Sequence, residues 1–205
     1  LTHYGYIKSQ SVDTYKPQKR GGRGVSGMSQ RDEDFVEEMF ITSTHDYIMF
    51  FTDRGRCYRL KAYEIGQFSL TSKGINIVNL LEIDGEEKIT NMIRVSQYDD
   101  DCYLVMVTRH GVIKRTHLSA YRNVRRGGLI AISLDEDDAL CGVRLTNGDD
   151  TLMVATRGGM AIRFHESNAR SMGRTARGVR AIRLNADTDD AVIGIAGVRE
   201  GATLL

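Results

Sequence analysis

The sequence predicts an all-β protein of about four small sheets, four strands each, set radially so that every sheet buries its faces against its neighbours. Three observations carry that expectation. A threonine turn closed by glycine recurs four times, with the glycines at positions 5, 55, 111 and 159. A second glycine, just after a cation, follows each of them 17 to 19 residues later, as Arg23-Gly24, Lys73-Gly74, Arg126-Gly127-Gly128 and Arg177-Gly178. No segment carries a sustained 3.6-residue period with helix caps, so little helix is expected.

The first turn reads Thr2-His3-Tyr4-Gly5 and returns as Thr52-Asp53-Arg54-Gly55, Thr108-Arg109-His110-Gly111 and Thr156-Arg157-Gly158-Gly159. Before the later copies stand short runs rich in β-formers, 47–51, 102–107 and 151–155, which read as the first strand of a hairpin. Residues after the glycine, such as 112–115, read as the second. A longer excursion carrying the cation–glycine marker comes next. A third strand is expected from that marker, over 74–80 and 178–184, where alternation suggests one buried and one wet face. After an acidic turn a fourth strand is expected over 35–42, 88–95, 139–145 and 191–198. These limits divide a single domain into repeats 1–46, 47–101, 102–150 and 151–205. Residue 1 already stands at a turn, and Ala202-Thr203-Leu204-Leu205 resembles the beginning of the strand that would precede it. Either the chain is cut from a longer polypeptide or its last strand completes its first sheet.

Hydrophobic residues make up 41% of the 205, charged residues 27%, and the mean hydropathy is −0.32, the balance of a soluble globular protein. No stretch approaches the ~20 apolar residues of a membrane span, and the N-terminus lacks the order of a signal peptide. A cytoplasmic location follows as an expectation. Cys57, Cys102 and Cys141 are widely spaced in or beside apolar runs, which fits reduced thiols better than a disulfide frame or a metal site.

The net charge of +1 hides a segregation. The stretches 14–31, 102–134 and 167–186 contain no acid, and the last holds Arg170, Arg174, Arg177, Arg180 and Arg183. The acids collect in short blocks, 32–34, 82–87, 99–101, 135–138, 149–150 and 187–190. If the fold separates these blocks, a nearly neutral protein presents one strongly positive face.

The most concentrated basic run is Gln18, Lys19, Arg20, Gly21, Gly22, Arg23 and Gly24, with no side chain suited to a core. Glycine permits φ > 0 and close approach, and arginine offers a planar fork of donors to phosphate oxygens. A lone run of this kind reads most simply as a solvated turn. Its weight comes from the equivalent loops downstream, carrying Lys73, Arg125 and Arg126, and Arg170, Arg174 and Arg177. On radially arranged sheets these would form a curved positive band able to bind a duplex through its phosphates. Residues 22–27 also spell GxGxxG, but no buried strand precedes them and no helical pattern follows, so a dinucleotide site is not expected. His3, His45, His110, His117 and His165 lack metal-ligand spacing, and no catalytic set stands out.

The run from Gln18 to Gly24 matches the motif called the GyrA box, and with the fourfold repeat around it the whole chain resembles the C-terminal domain of the DNA gyrase A subunit. The resemblance implies a β-pinwheel, a propeller-like disc whose adjacent blades exchange strands. It implies that double-stranded DNA wraps on a basic outer rim, giving a type II topoisomerase the chirality needed to introduce negative supercoils. The implied partners are DNA and, in the holoenzyme, the gyrase B subunit together with the N-terminal part of the gyrase A subunit, in the bacterial cytoplasm and nucleoid. The family's catalytic tyrosine and ATPase would lie outside this chain, so it is expected to be a monomer without enzymatic activity, cofactor or metal of its own. The family domain usually has more than four blades, and the related topoisomerase IV domain has an eroded or missing box. Two rival readings remain: a propeller that binds a protein through an acidic or apolar face, and a nucleotide-dependent enzyme built on GxGxxG.

Overall fold

The computed structural model describes residues 1–15, 20, 33–185 and 188–201. Its architecture grows from the threonine turn. The N–H of Gly5, Gly55, Gly111 and Gly159 donates to the carbonyl of Thr2, Thr52, Thr108 and Thr156 at 2.9–3.1 Å. The same threonines accept at Oγ1 from the amides of Tyr6, Arg56, Val112 and Met160 at 3.1–3.3 Å. The four glycines stand at φ between +72° and +82°, the left-handed region in which a Cβ is strained. All four threonines are buried, which shields the acceptor side of both bonds from water.

The turns join β2 (Tyr47–Thr52) to β3 (Arg56–Lys61), β6 (Tyr103–Thr108) to β7 (Val112–His117), and β10 (Thr151–Thr156) to β11 (Ala161–His165). β1 (Tyr6–Ile7) follows the first turn. On the other side of each hairpin's first strand pair β5 (Ile89–Val95), β9 (Leu140–Thr146) and β13 (Val192–Val198). The remaining strands, β4 (Ile75–Asn76), β8 (Leu129–Ile130) and β12 (Val179–Arg180), leave their own repeat. They pair with β1, β3 and β7 of the repeat before. The sheets therefore run β5-β2-β3-β8 and β12-β7-β6-β9, with a donated strand at one edge, while the last is β11-β10-β13.

This exchange is what the resemblance implied, but the exchanged strands are shorter than the sequence suggested. In place of a strand over 74–80, only Ile75–Asn76 pairs before a 3-10 turn at Ile77–Asn79, capped by the Asn76 side chain accepting from the Val78 amide. In place of 178–184, only Val179–Arg180 pairs. The alternation there reflects a chain crossing between two blades. Residues 35–42 form no strand; their ladder contact is one bridge between Thr2 and Val36. Ala202 to Leu205 lie outside the described residues.

Each core cluster lies between two repeats. Ile7 packs with Ile48, Phe50 and Tyr58; Met49, Phe51 and Cys57 pack with Leu104, Met106 and Leu140; Val105, Val107 and Ile113 pack with Leu152, Val154 and Ile195. Because β2 and β6 send alternate residues into clusters on opposite faces, they read as unbroken apolar runs. Burying one such side chain stabilises by roughly 1.5–3 kcal/mol. β5, β9 and β13 pack side by side at the inner end of the sheets. Asn91 Oδ1 accepts from the Val143 amide at 2.9 Å, and Arg144 Nε donates to the Ile195 carbonyl at 3.1 Å. With the inner strands so joined, the donated strands and the loops leading to them occupy the outer edge.

Candidate nucleic-acid interface

The cation–glycine loops run along the outer strand of the preceding repeat. Their glycines are required by that contact. Gly74, Gly128 and Gly178 have φ of +81°, +73° and +111°. A Cβ on Gly74 would stand 2.3 Å from the Ile7 carbonyl oxygen, one on Gly128 would meet the Tyr58 ring at 2.7 Å, and one on Gly178 would lie 2.6 Å from the Ile113 carbonyl oxygen. The close approach inferred from sequence is thus, at these three positions, an approach to the neighbouring blade. The turn glycines complete the clamp: Gly55 O accepts from Ala131 and Ile132, Gly111 O from Ala181 and Ile182, and Gly5 O from Ile77.

The cations flanking these glycines divide by exposure. Arg125, Arg126, Arg170 and Arg177 are exposed. Arg126 Nε stands 4.0 Å from Glu82, and Arg177 donates to Asp135 at 2.7 Å. Such solvent-facing pairs are worth about 0–1 kcal/mol and leave the guanidinium groups free to exchange partners. Lys73 is half-buried. Arg174 is half-buried too, with its Nε enclosed and without a hydrogen-bond partner. Arg20 is an exposed turn residue, while Gln18, Lys19, Gly21, Gly22, Arg23 and Gly24 lie outside the described residues.

A second set of cations holds the loops from beneath. Lys8 Nζ donates to the carbonyls of Ser69, Leu70 and Ser72 at 2.8–2.9 Å. Arg56 and Arg59 donate to the carbonyls of Gly127 and Arg122, each at 2.6 Å. Lys114, fully buried, donates to Ala131 O at 2.6 Å and to Arg174 O. Burial, and then the neighbouring Arg174 charge, lower the Lys114 pKa to about 8; burial also lowers that of Lys8. Arg59 and Arg115 further lie over the rings of Tyr47 and Tyr103, at 4.4 and 4.1 Å. Sequence reading passed over these residues. The available signal was a lysine three places after the turn glycine, at 8 and again at 114.

The acidic blocks have a structural use. The Oδ1 atoms of Asp34, Asp138 and Asp190 accept from the turn amides of Tyr4, His110 and Gly158 at 2.7–3.0 Å. The Gly158 amide most of all, with the Thr156 hydroxyl and the Ala191 amide, holds the Asp190 carboxyl below the usual aspartate range.

One contact imitates a catalytic set. His165 Nδ1 lies 2.7 Å from Ser167 Oγ, and its Nε2 lies 3.1 Å from Asp149. The same Nδ1 accepts from the Ser167 amide at 3.3 Å, which makes the group a cap on the 3-10 turn Glu166–Asn168. Asp149 is exposed. Among the described residues no cluster of His, Cys, Asp and Glu could hold a metal ion. Those spelling GxGxxG lie outside them.

An all-β assembly of blades that donate their outer strand to the blade before, with cation–glycine loops along the donated edge, defines a β-pinwheel. The chain belongs to the family described as the DNA gyrase C-terminal domain, beta-propeller, whose model matches residues 1–43, 46–96, 103–147 and 150–199. It is 54% identical over 182 residues to the DNA gyrase A subunit of Halalkalibacterium halodurans, covering 89% of this chain, and 51% identical over 180 residues to that of Clostridium acetobutylicum, covering 88%. The chain spans 22% of the length of each of these relatives. Among solved structures it resembles the C-terminal domain of DNA topoisomerase IV, with TM-score 0.82 and 27% identity over 98% of this chain and 60% of that one. It also resembles the DNA gyrase A C-terminal domain, with TM-score 0.75 and 28% identity over 98% of this chain and 64% of that one.

Proposed function

We propose that this chain binds and bends duplex DNA without reading its sequence, on a basic outer rim, and gives a bacterial DNA gyrase the chiral wrap from which negative supercoils arise. The observation that carries the proposal is the repetition of exposed arginines on loops at one structural position, in a chain of the gyrase C-terminal family. Arg125, Arg126, Arg170 and Arg177 meet phosphates, as do Lys73 and, from its loop, Arg174; Lys73 is the sole cation in 65–81 and contributes least. The wrap determinant is Gln18, Lys19, Arg20, Gly21, Gly22, Arg23 and Gly24. Bending a site of 20–30 base pairs costs on the order of 1–6 kcal/mol, so several loops act together.

In the whole enzyme the partners are the N-terminal part of the gyrase A subunit, which carries the catalytic tyrosine, and the gyrase B subunit, which carries the ATPase, in the cytoplasm on the nucleoid. Anisotropy titrations of random-sequence duplexes over a salt series test the reading. Steep loss of affinity with salt supports it; affinity that is absent or indifferent to salt turns the assignment toward a protein-binding propeller. In a topology assay, replacing Arg20 and Arg23 together by alanine abolishes wrapping with the fold intact, and full wrapping by that variant removes the box from the mechanism.

A further inference from the structure

Each described loop is gripped by cations that belong to the repeat before it. Lys8 and Lys114 occupy the same place in their repeats, three residues after Gly5 and Gly111, Lys8 just past the end of β1 and Lys114 within β7. An ammonium has three donors and no acceptor. Lys8 directs all three bonds to one stretch of backbone, Ser69, Leu70 and Ser72, in the loop that ends at Lys73-Gly74. Lys114 bridges two crossings, the Ala131 carbonyl after β8 and the Arg174 carbonyl before β12. In the second repeat Tyr58 stands at this place, and the grip passes to its neighbours: Arg56 on Gly127 and Arg59 on Arg122, the two ends of the loop carrying Arg125 and Arg126. Burying an ammonium beside a guanidinium is costly unless its donors are met, and here backbone carbonyls meet them.

We propose that Lys8 and Lys114 are positioning residues, which set the shape of the following repeat's cation–glycine loop through its carbonyls and so fix where that loop's cations meet DNA. This rests on the DNA-wrapping reading. Lys114, having no exposed surface, cannot touch the duplex itself, so any effect it has on bending travels through the loop. The grip also means that the rim's geometry is set one blade at a time, each blade shaping the outer edge of the next.

The test compares Lys8→Met, Lys8→Arg and Lys114→Met with the unaltered 205-residue chain. The readouts are amide hydrogen exchange, melting temperature, and bending of an end-labelled random duplex by energy transfer. Lys8→Met is expected to speed exchange over 68–73 about tenfold with little change elsewhere, and to reduce bending more than twofold, with Lys8→Arg recovering most of both. Lys114→Met is expected to act likewise over 172–178. Should it fail to fold, Lys8→Met decides alone. Exchange that stays at the wild-type rate in the loop overturns the proposal, and so does faster exchange with bending unchanged. If the unaltered chain shows no salt-dependent DNA affinity, the DNA-wrapping reading fails and the positioning role with it, while the exchange data still establish whether the lysines hold the loops.

Discussion

Gly178 crosses Ile113 so closely that a Cβ on it would lie 2.6 Å from the Ile113 carbonyl oxygen, at a φ of +111°. Such contact is backbone against backbone, and neither partner can swing aside. Gly178→Ala is therefore expected to lose the pairing of β12 with β7 and to cost about 2–3 kcal/mol or more, combining left-handed strain with displacement. Gly159→Ala supplies the control. Its φ is +82° but nothing lies within 4 Å, so strain alone remains, about 1–2 kcal/mol. Thermal unfolding of the two variants measures the difference, and equal losses would show that the crossing can relax.

The threonine turn makes a second, independent claim. Thr108 Oγ1 accepts from the Val112 amide at 3.2 Å in a buried site. Thr108→Val keeps the volume but leaves that N–H without its acceptor, an expected cost of about 1–3 kcal/mol. Asp138 holds the same turn through the His110 amide at 3.0 Å, so Asp138→Ala is expected to destabilise in the same direction. Because both act on one turn, the double variant should lose less than the two single losses together. Chemical denaturation of the four proteins closes the cycle, and strict additivity would mean that the two bonds are unrelated.

The contrast between these residues explains what could be read in advance. The turn glycines and threonines were legible because the hairpin is local: a threonine, two residues and a glycine satisfy one another within the turn. The apolar runs 47–51 and 102–107 were legible for the same reason. The destination of 74–80 was not, since pairing with a different repeat is decided by the space beside β1, and two paired residues then suffice. Phe35 to Thr42 read as a strand on propensity, yet propensity gives no ladder without a partner strand. Among the rim candidates, sequence could mark Arg174 and Arg177 as equally basic. It could not tell that the Arg174 backbone is gripped by Lys114 with its Nε enclosed, while Arg177 lies on the surface beside Asp135.

Lys114 carries the pH dependence. Its pKa in the fold is about 8, lowered by burial and by Arg174, against an ordinary lysine value of about 10.4. Between these values the unfolded chain binds the extra proton, so stability rises with pH across that window. The gain amounts to about 3 kcal/mol at most, at 1.36 kcal/mol per unit. Below pH 8 the lysine is charged in both states, and the cost of burying the charge is borne in full. Tyr121, which shares the Ala131 carbonyl, and nearby Cys57 are both pushed up by burial, so they stay protonated in the fold while the unfolded chain ionises; their effect opposes that of the lysine and is removed by comparison with a variant that keeps both residues. Melting temperatures between pH 7.5 and 10 should therefore climb relative to those of Lys114→Met, which lacks the lysine's contribution and keeps every other group's. Parallel curves would mean that the lysine is not buried as a cation.

The rim itself can be divided by salt dependence. If Arg125 and Arg126 each neutralise a phosphate, replacing both by alanine lowers the slope of log affinity against log salt by about 2, at ~0.9 per phosphate. Their side chains are exposed, and the ion pair of Arg126 with Glu82 at 4.0 Å contributes little, so the melting temperature should hardly move. Arg174 is a different case. Part of its side chain is enclosed between repeats, so Arg174→Ala is expected to alter stability as well as affinity. Titrations at four or five salt concentrations, run beside thermal melts of the same samples, separate a phosphate contact from a structural cation. An Arg125/Arg126 double variant with an unchanged salt slope would remove that loop from the DNA path, and leave its closely held backbone, tied to Arg56 and Arg59, without a part in binding.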